Sequence, residues 1–212
     1  MKSTAIIAVI GTASAKWGLG SCPKVESMES LDMERYAGHW YEIYRDVHGW
    51  YTQGADCVTK EFELNAAGNL DLYFRGFYNW HGWGKYSGIG GEVSECGTSA
   101  GLLESSTCKA TMGGRPDKLP FDMFATDYDN YDIGYFCKDF YGFAHVDNLA
   151  ITARTPEMSQ EVQEEVRAVI AEKLPHYNLG EGMYWTKQGE DKCQYYWMDQ
   201  NDGQAPAYVP WW

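Results

Sequence analysis

The chain has 212 residues and carries 30 acidic side chains against 17 basic ones, which gives a net charge of −13 at pH 7. This surplus of negative charge disfavours nucleic acids and anionic membrane surfaces as partners, because both repel it. The length suits one domain with a single hydrophobic core.

The first fifteen residues have the order of a secretory signal peptide. A lysine precedes an apolar run from Ala5 to Ile10, and the small residues Ala13 and Ala15 mark a cleavage site before Lys16. The apolar run is much shorter than the ~20 residues that a membrane span requires, and no other run approaches that length. We therefore expect residues 1–15 to be removed and the product to be secreted or extracytoplasmic, with no transmembrane segment.

Runs rich in aromatic and β-branched residues follow, separated by breaks that contain Gly, Asn or Ser, as in successive antiparallel strands. Residues 58–64 alternate apolar and charged side chains, and the break at 65–69 leads back into a strand at 70–74. A second turn lies around 80–84, and Gly-rich strands flank the segment from 96 to 108. The last three strands are expected at Phe121–Thr126, Ile133–Cys137 and Leu149–Ala153. Eight strands with no helix between them can remove their edges by closing on themselves, so the fold is expected to be all-β.

One helix is predicted after these strands. Thr155 can cap its start, and Pro156 suits the first turn, where a missing N–H costs nothing. Pro175 ends the helix. The apolar residues in between recur at three- and four-residue steps: Met158, Val162, Val166, Val169, Ile170 and Leu174. Because they form a single stripe, we expect the helix to pack on the outside of the sheet, before a last strand at 183–186.

The chain contains six cysteines: Cys22, Cys57, Cys96, Cys108, Cys137 and Cys193. In an exported protein, an even number of cysteines predicts disulfides, and no Cys-x-x-Cys or Cys-x-x-His spacing indicates a metal site. Six cysteines allow 15 pairings, which the spacing alone leaves open. We predict three disulfides, no metal and no cofactor.

Three short motifs stand out: Gly-His-Trp-Tyr-Glu-Ile at 38–43, Thr-Asp-Tyr-Asp-Asn-Tyr at 126–131 and Arg-Thr-Pro at 154–156. In this order and at these distances they resemble the three conserved regions of the lipocalins. The likeness is strongest to the branch of apolipoprotein D, the insect bilin-binding proteins and the bacterial lipocalins. It implies an eight-stranded antiparallel up-and-down barrel with one C-terminal α-helix packed outside. We expect a lipocalin domain at 16–194 and an aromatic C-terminal tail at 195–212.

The resemblance assigns structural roles to six motif residues: Gly38, Trp40, Thr126, Asp127, Tyr131 and Arg154. In lipocalins the tryptophan closes the floor of the barrel and the arginine lies across it, so Trp40 and Arg154 should form a cation–π pair. The second motif sits on a tight turn at the same end, where Thr and Asp side chains bond backbone N–H groups. None of these residues is expected to contact a ligand.

The resemblance also narrows the disulfide pairings. It pairs Cys22 with Cys137, and Cys57 with Cys193. The two remaining cysteines lie outside the two-bridge pattern of that branch. If they pair, they close a short loop around residues 97–107 and contribute about 2 to 4 kcal/mol at most.

Ligand contacts follow from these pairings, because side chains alternate across a strand and a cysteine bonded to an external segment points outward. This alternation, matched to the register of the family, gives an inward set of predicted ligand contacts: Tyr44, Val58, Lys60, Phe62, Leu72, Phe74, Phe121, Met123, Phe136, Lys138 and Ala150. Trp50 and Tyr51 belong to the long first loop, which folds over the mouth in lipocalins, and are predicted as a ligand-contacting lid. The same loop is equally compatible with a packed Ω-loop.

This mostly apolar inward set predicts a pocket for one hydrophobic molecule. The resemblance implies a protein that carries or sequesters a fatty acid, sterol, retinoid or linear tetrapyrrole. Lys60 and Lys138 are predicted to point inward, where a buried cation needs an anionic partner. That partner is either a ligand carboxylate or Glu42.

A second interpretation keeps the fold but fills the barrel with its own side chains. The protein is then an interaction protein or assembly subunit that docks on a protein partner through its tail, which ends in Val-Pro-Trp-Trp at 209–212. Catalysis has little support. The five histidines are scattered, and none has a Ser or Cys nucleophile at a recognisable spacing. We therefore expect no catalytic residues and no enzyme activity.

Overall fold

The computed structural model describes residues 16–46, 54–80, 83–96, 108–114, 116, 118–121, 123–177, 179–180 and 183–197. The predicted signal peptide, the lid residues Trp50 and Tyr51, and tail residues 198–212 lie outside the described residues. Within the described part, no helix is long and apolar enough to cross a membrane.

The described chain forms eleven β-strands and two α-helices. In chain order they are β1 Lys16–Leu19, α1 Met33–Tyr36, β2 Gly38–Asp46, β3 Ala55–Leu64, β4 Leu70–Trp80, β5 Trp83–Ser94, β6 Cys108–Met112, β7 Leu119–Phe121, β8 Met123–Thr126, β9 Tyr131–Phe140, β10 Ala144–Ala153, α2 Gln160–Lys173 and β11 Met183–Trp185. Strand β1 is an element that the sequence did not predict.

The strands pair in one antiparallel sheet with the order β7-β6-β5-β4-β3-β2-β10-β9-β8. Its two outermost strands, β7 and β8, are consecutive in the chain and are separated only by residue 122. Counted as one interrupted strand, they complete an eight-stranded curled sheet, with β1 added beside β10 and β11 beside β2. The predicted eight-stranded antiparallel barrel fold with one outer helix is confirmed.

Side chains alternate between the two faces of the sheet and form two separate cores. The inner core contains Trp40, Phe62 and Leu72 and continues onto Met123. The outer core lies between the sheet and α2 and includes Ile133, Leu149, Val166 and Ile170.

Helix α2 begins later than the sequence predicted. Ser159, not Thr155, is its N-cap, and the Ser159 Oγ accepts the Val162 N–H at 3.3 Å. The Thr155 hydroxyl instead donates to the Glu157 carbonyl at 2.6 Å, which holds the segment before the helix in a bend. The predicted apolar stripe is confirmed, because Val166, Ile170 and Leu174 are buried.

All three predicted disulfides are present: Cys22–Cys137, Cys57–Cys193 and Cys96–Cys108. The first fastens the N-terminal segment to β9. The second fastens the C-terminal segment to β3 at Cys57. This residue has a φ of +54° and lies where the register between β3 and β4 shifts.

Residues 186–188 fill the space where β2 and β3 diverge. The Thr186 N–H donates to the Ile43 carbonyl at 3.0 Å, and the Gln188 amide donates to carbonyls of both strands, those of Glu42 and Val58, at 2.9 and 2.8 Å. The C-terminal segment therefore supplies the hydrogen bonds that β2 and β3 do not give each other at this point.

Candidate functional site

The proximal end of the curled sheet, defined by Trp40 and Arg154, is closed by these two side chains. The Arg154 guanidinium lies 3.7 Å from the centroid of the buried indole. Its Nε donates to the Tyr128 carbonyl at 2.9 Å, and Nη2 donates to the Arg35 carbonyl at 2.8 Å. A cation that stacks and donates in this way is fixed in position, and the predicted cation–π pair is confirmed.

Gly38 is required beside this pair for two reasons. Its φ is +105°, a conformation that residues with a side chain rarely adopt. In addition, a Cβ at this position would lie 3.1 Å from Arg154 Nη1. The glycine thus lets the backbone approach the guanidinium.

The turn after β8 is held by the second motif. Asp127 Oδ1 accepts the N–H groups of Asp129, Asn130 and Tyr131 at 2.8 to 3.1 Å. Partial burial opposes ionisation of Asp127, but these donors outweigh it and lower the pKa of the carboxyl below its usual value. The Thr126 hydroxyl donates to the Tyr131 carbonyl at 2.6 Å, so the structural role predicted for this motif fits its contacts.

Five predicted ligand contacts lie together above this floor in the inner core: Phe62, Leu72, Phe74, Phe121 and Met123. The Phe62 ring lies 4.8 Å from the Tyr36 ring and 6.0 Å from the Phe121 ring, between centroids. Phe74 and Phe121 are only partly buried, so their rings still have exposed surface. The structure thus brings these five side chains together as one apolar wall.

Sequence reasoning missed several residues of the same core, among them Tyr36, Val93 and Ala110. Tyr36 is the last residue of the short helix α1, four positions before Trp40, and the Trp40 indole donates to the Tyr36 carbonyl at 2.9 Å. An aromatic residue four positions before the tryptophan was the available signal.

Val58 and Lys60 continue the wall along β3. Val58 is fully buried, and a Cβ on Gly76 across the sheet would lie 3.1 Å from Val58 Cγ2. Lys60 is only 7% exposed, and its Nζ lies 5.6 Å from the centroid of the Phe74 ring. Lys60 is therefore a largely buried cation on an otherwise apolar surface.

The predicted contacts on β9 and β10 differ in exposure. Ala150 is buried, whereas Phe136 is 42% exposed on the face opposite the outward-pointing Cys137. Lys138 is exposed, and its Nζ lies 5.6 Å from the centroid of the Phe140 ring. This side of the sheet is thus more open to solvent than the β3–β4 side.

The placement of Tyr44 differs from the prediction. It packs in the outer core beside Ile151, and its ring lies 4.5 Å from that of Trp185, between centroids. The reason is a bulge in β2: Glu42 pairs with Thr152 and Tyr44 with Ile151, so Ile43 is an extra residue. One extra residue reverses the alternation, and the prediction that Tyr44 contacts a ligand inside the barrel is wrong.

The same bulge creates a buried ion pair that the sequence did not predict. Glu42 and Arg45 are both buried, and Arg45 Nη1 donates to Glu42 Oε1 and, at 2.8 Å, to the Thr186 hydroxyl. Arg45, and not Lys60 or Lys138, is therefore the partner of Glu42. In the described part of the chain, Lys60 has no carboxylate partner. Glu42 Oε2 and Arg45 Nε also lack hydrogen-bond partners there.

The first residues of the predicted tail pack on the outer surface near the proximal end. Trp197 is buried and stacks on His39 at 3.9 Å between ring centroids. Tyr195 lies edge-on to Tyr41 at 5.0 Å, and the Gln194 N–H donates to the Tyr86 hydroxyl at 2.6 Å. The tail therefore leaves the domain from the outer wall.

Two surface cavities lie outside the curled sheet, one beside Arg154 and the start of α2 and the other beside Trp185. Neither is lined by a predicted ligand contact, and the apolar inner wall fits the predicted chemistry better. Among the residues that the structure describes, no three His, Cys, Asp or Glu side chains are grouped to hold a metal ion.

The chain is similar in sequence to one known protein family and to several of its members. Residues 37–180 match the model of the "Lipocalin / cytosolic fatty-acid binding protein family". Apolipoprotein D of Rattus norvegicus is 27% identical over 150 residues, 71% of this chain and 75% of that protein. The outer membrane lipoprotein Blc of Escherichia coli K12 is 26% identical over 208 residues, 92% of this chain and 97% of that protein.

The fold is also similar to that of insecticyanin from the tobacco hornworm Manduca sexta. The TM-score is 0.69 at 23% identity, over 86% of this chain and 94% of insecticyanin. At this identity the likeness shows the fold alone.

Proposed function

The chain belongs to the lipocalin / cytosolic fatty-acid binding protein family, and from this premise we propose that it is a secreted carrier of one small hydrophobic molecule. Membership implies binding of a small hydrophobic ligand. The finer proposal is that the ligand is a fatty acid, sterol, retinoid or linear tetrapyrrole, which the protein transports or sequesters inside the curled sheet.

The observation that carries this proposal is the apolar inner wall. Phe74, Phe121 and Phe136 retain exposed ring surface on the inner face, next to the closed inner core. A ligand that covers such surface gains about 25 cal/mol for each Å² of apolar area removed from water. Burial of this kind favours apolar molecules without requiring a particular shape.

Lys60 provides a polar contact that distinguishes between ligand classes. It is largely buried on the apolar wall and has no carboxylate partner among the described residues. A ligand carboxylate beside its Nζ would supply the missing charge. Fatty acids and the propionates of linear tetrapyrroles carry such a group, whereas sterols and retinol do not.

The first experiment titrates the purified protein with a fatty acid, retinol, a sterol and biliverdin, and follows quenching of tryptophan fluorescence. Native mass spectrometry of protein from its own source tests for a molecule already bound. Saturable binding of at least one ligand supports the carrier. Failure of all four, together with an empty protein in the mass spectrum, would contradict it.

Substitution of the cation tests the polar contact. K60M should weaken binding of a fatty acid by about tenfold, since a buried charge pair is lost, while retinol binding changes little. K138M removes an exposed lysine on the same face and measures how much a more distant charge contributes to fatty-acid affinity. K24M removes an exposed lysine from the N-terminal segment and is the matched control. Equal fatty-acid affinity in wild type, K60M and the K60M/K138M double variant would remove the proposed contact.

The aromatic tail supports a second candidate function, docking on a protein partner. Its base is fixed on the outer wall by Trp197 and Tyr195, away from the inner wall. A protein shortened by residues 198–212 keeps these contacts. If this shortened protein loses a protein partner but still binds its ligand, the docking role is favoured. If it loses ligand binding instead, the docking role is contradicted.

Three disulfides indicate that the folded chain is extracytoplasmic, since such bonds persist in oxidising compartments. Secretion after removal of residues 1–15 is the finer proposal. The intact mass of the natural product tests it, because a cleaved chain begins at Lys16.

A further inference from the structure

Five apolar side chains gather at the distal end of the sheet, the end opposite Trp40, where β9 turns into β10. This distal tip consists of Trp17, Leu19, Phe140, Tyr141 and Phe143. Tyr141 is 96% exposed, Leu19 94%, Phe143 82% and Trp17 57%. The structure describes seven large apolar side chains as exposed, and four of them are in this tip, so they form a patch and are not scattered.

Hydrogen bonds and a disulfide hold the backbone of the distal tip in place. Asp139 accepts the Gly142 N–H at 2.7 Å and the Cys22 N–H at 3.2 Å, which ties the turn to the N-terminal segment. The Gly142 donor holds the pKa of the Asp139 carboxyl below its usual value. The disulfide of Cys22 with Cys137 fastens the same two segments. The backbone of a braced turn therefore loses little conformational freedom when its side chains bind a partner.

Contacts within the tip join the segment at 17–20 to the turn at 140–143. The Trp17 ring stacks on the Phe140 ring at 5.0 Å between centroids, and the Gly20 N–H donates to the Phe143 carbonyl at 2.9 Å. Tyr141 has a φ of +57°, which is unusual for a residue with a bulky side chain. The turn therefore holds the backbone that carries these aromatic rings and directs them away from the sheet.

The shape and chemistry of this projection select the kind of partner. Side chains that stand out from a turn cannot enclose a small molecule, so their partner must be an extended surface. The turn at 140–143 reads Phe-Tyr-Gly-Phe and has no charged residue. At its base the exposed Lys138, whose Nζ lies 5.6 Å from the centroid of the Phe140 ring, is followed by the exposed Asp139, so the adjoining charges are of both signs. Trp, Tyr, Phe and Leu are the side chains that enter the interface between lipid and water. The net charge of −13 opposes any approach to anionic lipid.

We propose that the distal tip docks on a neutral, zwitterionic lipid surface. Phe136, Lys138 and Phe140 lie on one face of β9 and lead from the inner wall to the tip. Docking would thus set the apolar interior against a lipid phase. This last step rests on the proposed carrier function, whereas the docking itself does not.

Flotation of the empty protein with phosphatidylcholine vesicles tests the proposal. The wild type is expected to float with them, and Y141S/F143S is expected to bind at least about tenfold more weakly, because two aromatic anchors are lost. The matched control is L64S, which removes an exposed leucine at the proximal end and should bind as the wild type does. Circular dichroism of each variant verifies that it is folded.

In the flotation experiment, three outcomes overturn the proposal: no flotation of the wild type, equal flotation of Y141S/F143S and wild type, or binding that requires anionic phosphatidylglycerol. Sedimentation at several concentrations tests whether the tip joins two copies of this chain. Self-association that Y141S/F143S abolishes, without vesicle binding, also overturns it. Fluorescence titration with a fatty acid in the absence of vesicles tests the carrier function separately. Y141S/F143S should keep that binding.

Discussion

At the proximal end of the curled sheet, the motif residues Trp40 and Arg154 are hydrogen-bonded to backbone carbonyls, whereas at the distal end large apolar side chains face solvent. Arg154 donates to the carbonyls of Tyr128 and Arg35 and stacks on Trp40. Tyr141, in contrast, is almost fully exposed. The comparison teaches that the motifs which identify the family maintain its floor, and that contacts with other molecules are expected at the opposite end.

The largest expected effect comes from removing the floor. W40A leaves a cavity in the inner core and should lower the free energy of unfolding by about 3–5 kcal/mol. Urea denaturation followed by circular dichroism measures this value. A loss below about 1 kcal/mol would mean that the contacts at the proximal end contribute little to the stability of the fold.

A smaller loss is expected when only the guanidinium is removed. R154M keeps much of the side-chain volume over Trp40 but loses the donors to three backbone segments, which should cost about 2 kcal/mol. R154K is the matched control, since it keeps the charge and loses the planar stack. If R154K is as stable as the wild type, charge alone suffices and the geometric interpretation fails.

The proximal turn should also make stability depend on acid. The folded-state pKa of Asp127 lies below the unfolded value of about 3.9, so its contribution is present above that pH and is lost as the pH falls through the folded pKa. D127N should cost about 1 kcal/mol at pH 7 and lose less stability between about pH 5 and pH 3 than the wild type. Thermal melts across this pH range measure how steeply the stability of the wild type and of D127N falls with pH.

The control for the acid experiment is D129N in the same turn. Asp129 forms an exposed ion pair with Arg35 at 3.1 Å, which contributes little in water. Parallel acid profiles for D127N and D129N would contradict the special role of the Asp127 donors.

The smallest effect on stability is expected at the distal end. Y141S/F143S removes two large side chains that pack against little, so the free energy of unfolding should change by no more than about 0.5 kcal/mol. Urea denaturation measures it. A loss as large as that of R154M would show that the distal tip is structural, and the contrast between the two ends would disappear.

The sequence predicts those parts of the molecule in which a motif or the spacing of residues is compatible with a single structure. The three motifs led to Trp40 and Arg154, and strand alternation placed Phe62 and Phe74 on the inner wall, where the structure has them. The same resemblance gave the pairs Cys22–Cys137 and Cys57–Cys193, whereas Cys96–Cys108 joins the two cysteines that lie outside the family pattern. Ligand contact by the inner wall stays a prediction.

The errors have local physical causes that a sequence does not display. A single bulge at Ile43 turned Tyr44 to the outer core and paired Glu42 with Arg45. Both Thr155 and Ser159 are good N-cap residues, and Ser159 caps the helix because the Thr155 hydroxyl is bonded to the Glu157 carbonyl. The distal tip carries no motif, because exposed aromatic residues follow no repeat.

The C-terminal segment between β2 and β3 has a consequence for how the protein is made. Gln188 bonds carbonyls 146 and 130 residues earlier in the chain, and Thr186 bonds the buried Arg45–Glu42 pair. A chain that is still emerging during synthesis or export therefore lacks part of its own sheet, and its Arg45–Glu42 pair lacks the Thr186 hydroxyl. Contacts this distant in sequence form slowly, so this part of the sheet is completed only after residues 186–188 have emerged.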